Sequence, residues 1–232
     1  MRKIIAVVGV MLGLSCTKED DIGRMTKIID HNFNTSTAEW IGGFADYPEG
    51  VEEDWKLSVT HSYLPSPLDT TKKGVRISGS NHSDDLFMYL TKKVNMQRPD
   101  QLYKGTFEVQ FATNAAEESV GVGGSPAHSV YMGIGLASIE PKKVLDSTDG
   151  HYRMNISKIS QSQDGEDMKV IGDVSNGKSE PEYTLVTRTG EFTGKTDSDG
   201  NLWIIVGTDS GFEAVTTLYY TRIKVELQAV TE

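Results

Sequence analysis

The densest run of chemically active side chains is residues 80–85 (SNHSDD), which lie between two strand-like segments. An imidazole placed just before a pair of carboxylates could ligate a metal ion or transfer protons. The same residue types also form turns and cap loop amides. Because the run is longer than a two-residue hairpin turn requires, we treat His82, Asp84 and Asp85 as candidate ligand-binding residues.

A second candidate is the glycine-rich segment 121–129 (GVGGSPAHS). Its glycines would let the backbone approach a ligand, an anion or another strand closely. The segment matches neither a phosphate-binding P-loop nor a G-x-S-x-G nucleophile elbow. A triad of Ser125 with His82 or His128 and Asp84 is a weak hypothesis, because any chain with 5 histidines allows such a set. Ser125 therefore enters only as a candidate binding residue.

Two further polar loops contain carboxylates. Residues 197–201 (DSDGN) resemble the core of an oxygen-rich calcium loop, so Asp197, Asp199 and Asn201 are candidate metal ligands and calcium is the candidate ion. The alternative, which we favour, is a tight turn with Asp-Gly at its tip. In the loop 207–213, Asp209 and Ser210 directly follow the strongest apolar segment and are candidate binding residues.

Trp40 lies in a glycine-rich aromatic segment (WIGGFADYP, residues 40–48). An exposed indole there could stack on the C–H face of a sugar ring, which makes Trp40 a candidate binding residue. The alternative, which we favour, is that this large ring closes one end of a hydrophobic core.

The elements that must position these residues are predicted to be β-strands. Apolar and polar residues alternate over 55–60, 107–111, 130–136 and 223–228, as in strands with one face on a core. The continuous apolar run 202–206 indicates a strand covered on both faces. Turn residues separate these runs, and no long segment has the spacing of an amphipathic helix. We predict one all-β domain over 28–232, an antiparallel β-sandwich of the jelly-roll type.

A sandwich of this kind gathers its loops at two ends. The loop 80–85 precedes one predicted strand, 121–129 precedes another, and 207–213 follows a third. In neighbouring antiparallel strands the start of one lies beside the end of the other. We therefore predict that the three loops meet on one rim of the molecule.

The N-terminus has the features of an export signal. Basic residues at 2–3 precede an apolar run over 4–14, which is too short to span a bilayer as a helix. Ser15-Cys16 resembles the lipobox of bacterial lipoproteins, which implies lipidation of Cys16 and a lipid bilayer as partner. Residues 16–27 hold the lipidated cysteine and a tether, and the acidic part of that tether, 17–21 (TKEDD), resembles the surface-export signal of Bacteroidetes lipoproteins. We expect a protein of the outer membrane facing the cell surface, with a periplasm-facing lipoprotein as the alternative.

Composition excludes several classes of function. The 33 acidic residues outnumber the 23 basic ones, which argues against nucleic acid as a partner. A single cysteine excludes a disulfide framework and a multi-cysteine zinc or iron–sulfur site. Composition does not indicate the oligomeric state.

Four stretches together resemble a family of uncharacterised bacterial secreted proteins and lipoproteins: 81–90, 120–135, 151–163 and 201–223. The resemblance to that family implies one coherent domain, and the family has no assigned activity. The chain also loosely resembles the galactose-binding-like jelly rolls of carbohydrate-binding modules.

Two hypotheses follow. The first is a tethered binding module for a glycan or another extracellular polymer. The second is a surface hydrolase or lyase that uses His82, Asp84 and Asp85, with Asp209 or Glu213 as the second carboxyl.

Overall fold

The computed structural model of the protein describes residues 26–82 and 85–230. The predicted signal peptide, the lipidation site Cys16 and Asp84 lie outside these residues. The first strand begins at Thr26, slightly before the expected start of the domain. Among the described residues, no helix is long and apolar enough to cross a membrane.

The described residues form fourteen strands. They are β1 (Thr26–Asn32), β2 (Ile41–Ala45), β3 (Tyr47–Pro48), β4 (Ser58–Tyr63), β5 (Lys73–Ser80), β6 (Leu86–Asn95), β7 (Leu102–Thr113), β8 (Val130–Ala137), β9 (Lys143–Asp146), β10 (His151–Met154), β11 (Met168–Asp173), β12 (Thr184–Lys195), β13 (Asn201–Ser210) and β14 (Val215–Ala229).

The strand order confirms the predicted antiparallel jelly roll. One sheet runs β12-β7-β14-β5-β4, with β1 also paired to β14, and the other runs β11-β8-β13-β6-β2. Along the chain, successive strands from β5 to β8 alternate between the sheets. The strands β8 and β11 then pair antiparallel within the second sheet. From β11 to β14, successive strands again alternate between the two sheets. This double Greek key is the jelly-roll arrangement.

The main core lies between the two sheets. Phe107, Val109 and Phe111 of β7 are buried there, as are Ile223 and Val225 of β14. The alternation in the sequence is therefore confirmed for β7 and β14, whose polar neighbours face outward, whereas β8 is buried on both faces along most of its length. Burial of these side chains supplies the main favourable free energy of folding.

The outer face of the second sheet is covered as well. Ile156 and Ile159, from the segment 155–167, pack with Phe87 and Ile205 in a second apolar cluster. The prediction that residues 202–206 form a strand covered on both faces is thus confirmed.

One predicted strand begins too early. Residues 52–56 form a turn, and β4 starts only at Ser58. Trp55 is buried, its backbone amide donates to the Val51 carbonyl at 2.9 Å, and Lys56 has a positive φ of 52°. A left-handed residue is incompatible with a regular strand, so the short alternation over 55–57 was coincidental.

Candidate functional site

The three predicted loops meet at one end of the sandwich, which we call the loop end. The Asn81 side-chain amide donates to the carbonyls of Ser210 at 2.8 Å and Phe212 at 3.1 Å. The backbone amide of Gly211 donates to the Ser129 carbonyl at 2.8 Å. The predicted convergence of segments 80–85, 121–129 and 207–213 is therefore confirmed for the described residues. The prediction of a loop over 207–213 is wrong in part, because β13 continues to Ser210.

Several candidate residues at the loop end have structural partners. The Ser125 hydroxyl accepts hydrogen bonds from the amides of Ala127 at 3.1 Å and His128 at 3.2 Å, so it caps its own turn. Ser210 is buried, and its hydroxyl donates to the Phe212 carbonyl at 3.0 Å. Their hydroxyls organise the loops, and a role in ligand binding stays a prediction.

His82 and Asp85 diverge, although they are close in sequence. The exposed His82 ring lies 5.5 Å from the Trp55 ring, between centroids. Asp85 instead faces Lys158 of the covering segment and Arg153 of β10. The Asp85 carboxylate is thus part of an ionic cluster. No histidine, His82 included, takes part in the described ion pairs of this cluster.

This cluster, the carboxylate cluster, comprises Asp46, Asp85 and Asp209 with Lys158. Asp46 follows β2, Asp85 precedes β6 and Asp209 lies near the end of β13, so three neighbouring strands place them together. The Lys158 ammonium lies 2.9 Å from Asp46 Oδ2 and also contacts Asp209 Oδ2. Asp85 Oδ1 is 4.0 Å away. One lysine thus bridges two buried carboxylates.

Arg153 extends the cluster to the surface. Its guanidinium lies 3.3 Å from Asp46 Oδ1, 3.5 Å from Asp85 Oδ2 and 2.9 Å from Asp149 Oδ2. Four carboxylates therefore face two cations, which leaves excess negative charge. That excess falls at Asp85, the most exposed of the three clustered aspartates.

Burial and neighbouring charges shift three pKa values in the cluster. Burial is the main cause that raises the pKa of Asp209 above its ordinary value. Burial raises the pKa of Asp85 to about 6, and the charges of Asp46 and Asp209 add to the rise. Burial alone would lower the pKa of Lys158, but the carboxylates of Asp209 and Asp46 raise it above its ordinary value. Lys158 is therefore a fixed cation, while Asp85 is the group that can change charge near neutral pH.

The chemistry open to this cluster is limited by Lys158. Oxygen atoms of Asp46, Asp85 and Asp209 lie within 4.8 Å of one another, a spacing compatible with a divalent cation or with a pair of acid–base carboxyls. However, the Lys158 ammonium already supplies positive charge among them, and Asp46 and Asp209 are buried. The arrangement is that of an ion pair fastening the covering segment to the sheet.

The candidate calcium loop forms a tight turn between β12 and β13, which belong to different sheets. The Asp197 carboxylate accepts hydrogen bonds from the amides of Asp199 at 2.9 Å and Asn201 at 2.7 Å, and from the Asn201 side chain. These bonds hold the pKa of Asp197 below its ordinary value. The turn alternative accounts for every contact, and calcium binding here stays a prediction.

Trp40 belongs to the core. Its side chain is 5% exposed, packs edge-on to Phe33 and donates from Nε1 to His31 Nδ1 at 2.8 Å. A ring enclosed in this way has no free face for a sugar, so the core alternative holds and Trp40 is removed from the candidate binding residues.

A cavity of about 240 Å³ opens at the loop end, beside the three loops. It lies where β7 ends and β14 begins, and loops from both sheets complete its wall. The lining residues are Thr113, Asn114, Ala115, Ala116, Ser119, Pro126, Val174, Pro181, Phe212, Val215, Thr216, Thr217 and Leu218.

A hydrogen-bonded group beside the cavity ties its wall loops together. His128 Nδ1 lies 2.7 Å from Asp173 Oδ2, and His128 Nε2 lies 2.9 Å from the Glu117 carbonyl. The hydrogen bond to Asp173 raises the pKa of His128 above its ordinary value. Since Glu117 and Asp173 adjoin lining residues, these contacts fix the relative positions of two wall segments.

Sequence reasoning missed Asp46, Lys158 and the cavity wall. Asp46 lies in the segment 40–48 that the sequence marks by its aromatic residues, and no pattern in the sequence singles out Lys158. A signal for the cover did exist, because Gly133 and Gly135 leave room on β8 for Ile159 and for the Asp167 carbonyl. Small residues on one face of a strand indicate a close approach by another segment.

Comparisons with known proteins give structural matches of low sequence identity. No protein-family model and no curated protein matches the chain. It is similar to the carbohydrate-binding module TmCBM61 in complex with β-1,4-galactotriose, with 9% identity, TM-score 0.35 and coverage of 81% of this chain and 87% of that one. It is also similar to the K1 cleaved adhesin domain of Lys-gingipain from Porphyromonas gingivalis W83, with 11% identity, TM-score 0.37 and coverage of 88% and 99%.

A third similar structure contains the CBM22-1 and GH10 modules of Clostridium thermocellum xylanase 10B, complexed with xylohexaose. The identity is 10%, the TM-score is 0.35, and the match covers 84% of this chain and 28% of that one. At such identities and TM-scores the likeness carries no information about what this chain binds.

Proposed function

We propose that this protein is a binding module for a glycan or another extracellular polymer, carried on the bacterial surface by a lipid on Cys16. The observation that supports the proposal is the cavity at the loop end, which combines apolar walls with a few hydroxyl and amide groups. Ligand sites have this composition, and rigid sandwiches present them on loops.

Binding is favoured over catalysis by the state of the carboxylates. A hydrolase or lyase would need a proton-transferring group that can reach substrate in an open cleft. Asp209, the candidate second carboxyl, is fully buried against Lys158. The lining residues of the cavity supply hydrogen bonds and apolar contacts, which recognise a ligand without transforming it.

The proposal is tested by retention on immobilised polysaccharides. The purified chain should be retained on at least one polysaccharide, and Thr216→Val should weaken retention because it removes one hydroxyl from the cavity. Thr193→Val makes the same change far from the cavity and should leave retention unchanged. Absence of retention on every polysaccharide by folded protein would overturn the proposal.

A further inference from the structure

The lining of the loop-end cavity is uncharged. Among the described residues, no Asp, Glu, Lys, Arg or His side chain lines it. A charged ligand group transferred into this cavity would lose water without meeting a countercharge, which is strongly unfavourable. The cavity therefore selects against ionised groups of either sign.

Two polar side chains in the wall remain available to a ligand. Neither the Asn114 amide nor the Thr216 hydroxyl forms a hydrogen bond with any described residue, whereas the Ser119 hydroxyl donates to the Ala116 carbonyl at 2.5 Å. An amide and a hydroxyl both donate and accept, so they match the hydroxyl groups of a neutral sugar. The Phe212 ring and Pro126 offer apolar contact for its C–H groups.

The surroundings of the cavity are acidic. Charged residues that directly adjoin a lining residue in sequence are all carboxylates: Glu117, Glu118, Asp173, Glu180, Glu182 and Glu213. Lys178, His128 and Arg188 offset part of this charge through ion pairs. A negative field around the entrance repels anionic ligands and lowers their local concentration.

The size of the cavity limits the ligand further. A cavity of about 240 Å³ is smaller than the roughly 300–1,000 Å³ of sites for drug-sized ligands, which leaves room for about one sugar unit. We propose that the cavity takes one uncharged sugar unit and excludes sugars bearing a carboxylate or sulfate. This inference rests on the proposed function and specifies its ligand class.

The test compares sugars that differ only at C6. Binding of methyl β-galactoside and methyl β-glucoside to the detergent-solubilised full chain is measured by calorimetry beside the methyl glycosides of galacturonic and glucuronic acid. At least one neutral glycoside should bind tenfold or more tightly than its uronate. Asn114→Lys should reduce that ratio at least threefold, because it places a cation in the wall. Gln228→Lys adds the same charge on exposed β14 far away and should leave the ratio unchanged.

The outcomes separate the two proposals. If a uronate binds as tightly as its neutral partner and Thr216→Val weakens both, the inference is overturned and the glycan-binding function stands. If no methyl glycoside binds but the folded chain is retained on a polysaccharide, the inference is overturned and the proposed function stands. If the folded chain binds neither, both fail.

Discussion

Lys158 lies between two buried carboxylates, and its removal tests how strongly the cluster depends on it. Lys158→Met would keep most of the side-chain volume but leave Asp46 and Asp209 without their shared cation. Removing one partner of a buried ion pair costs about 3 kcal/mol or more. We expect a loss of about that size in the free energy of unfolding, measured by urea denaturation at pH 7.

The matched control is Lys104→Met, which breaks an exposed ion pair with Glu191 of 2.8 Å. Exposed pairs contribute about 0–1 kcal/mol, so this variant should remain close to the parent. Adding Asp209→Asn to Lys158→Met should recover part of the loss. Equal stability of the two lysine variants would contradict the role assigned to Lys158.

Asp85 gives the cluster a pH dependence. Because its pKa is about 6 in the folded protein and near 4 in an unfolded chain, the folded state binds the proton more tightly. The contribution of protonated Asp85 to the free energy of unfolding is therefore fully present below pH 4, and it is lost as the pH rises through 6. Asp85 is 43% exposed, so solvent screening reduces the effect to about 1 kcal/mol.

The measurement is the difference in the free energy of unfolding between the parent and Asp85→Asn at pH 4 and pH 7. The parent should lose about 1 kcal/mol relative to the variant across this interval. A constant difference at both pH values would show that Asp85 titrates normally.

At the scale of elements, two glycines of β8 test the docking of the covering segment. A Cβ at Gly135 would lie 2.2 Å from the Asp167 carbonyl oxygen, whereas one at Gly133 would first meet the terminal Cδ1 of Ile159 at 2.7 Å. The backbone carbonyl of Asp167 cannot move aside as readily as the flexible end of the Ile159 side chain. Gly135→Ala should therefore cost about 1–3 kcal/mol, and Gly133→Ala less, in thermal denaturation.

A second readout is limited proteolysis. If Gly135→Ala loosens the cover, cleavage within 155–167 should accelerate while the sheets stay intact. The reverse order of stability for the two variants would mean that the cover docks less tightly against Gly135 than against Gly133.

The strands were predictable and the cover was not. Period-two alternation has a direct physical cause, since successive side chains of a strand face opposite sides, and this identified β7, β8 and β14. The rule that antiparallel neighbours place loops together also predicted the loop end. The carboxylate cluster depends on a segment without regular structure docking on the sheet, and no sequence period encodes such a contact. Asp85 was found by residue type, whereas Lys158 was missed.

For the whole molecule, the lipid proposal makes a prediction about location. Cys16→Ser should move the protein from the membrane fraction to the soluble fraction, because an acyl chain contributes about 0.8 kcal/mol for each buried CH₂. The parent should incorporate labelled palmitate. The lipid anchor would be contradicted if both proteins stayed on the cytoplasmic side. It would also be contradicted if the variant were recovered in the membrane fraction as fully as the parent.

The direction of the first strand has a consequence for how the protein would meet a polymer. Thr26 pairs with Gln228, and the cavity lies at the other end of β14, beside Val215. At the rise of an extended strand these ends are about 40 Å apart. If Cys16 holds the chain to a bilayer, each cavity stands clear of the headgroups and opens outward. Many copies on one cell could then engage a single polysaccharide, and avidity would give firm adhesion from sites that are individually weak.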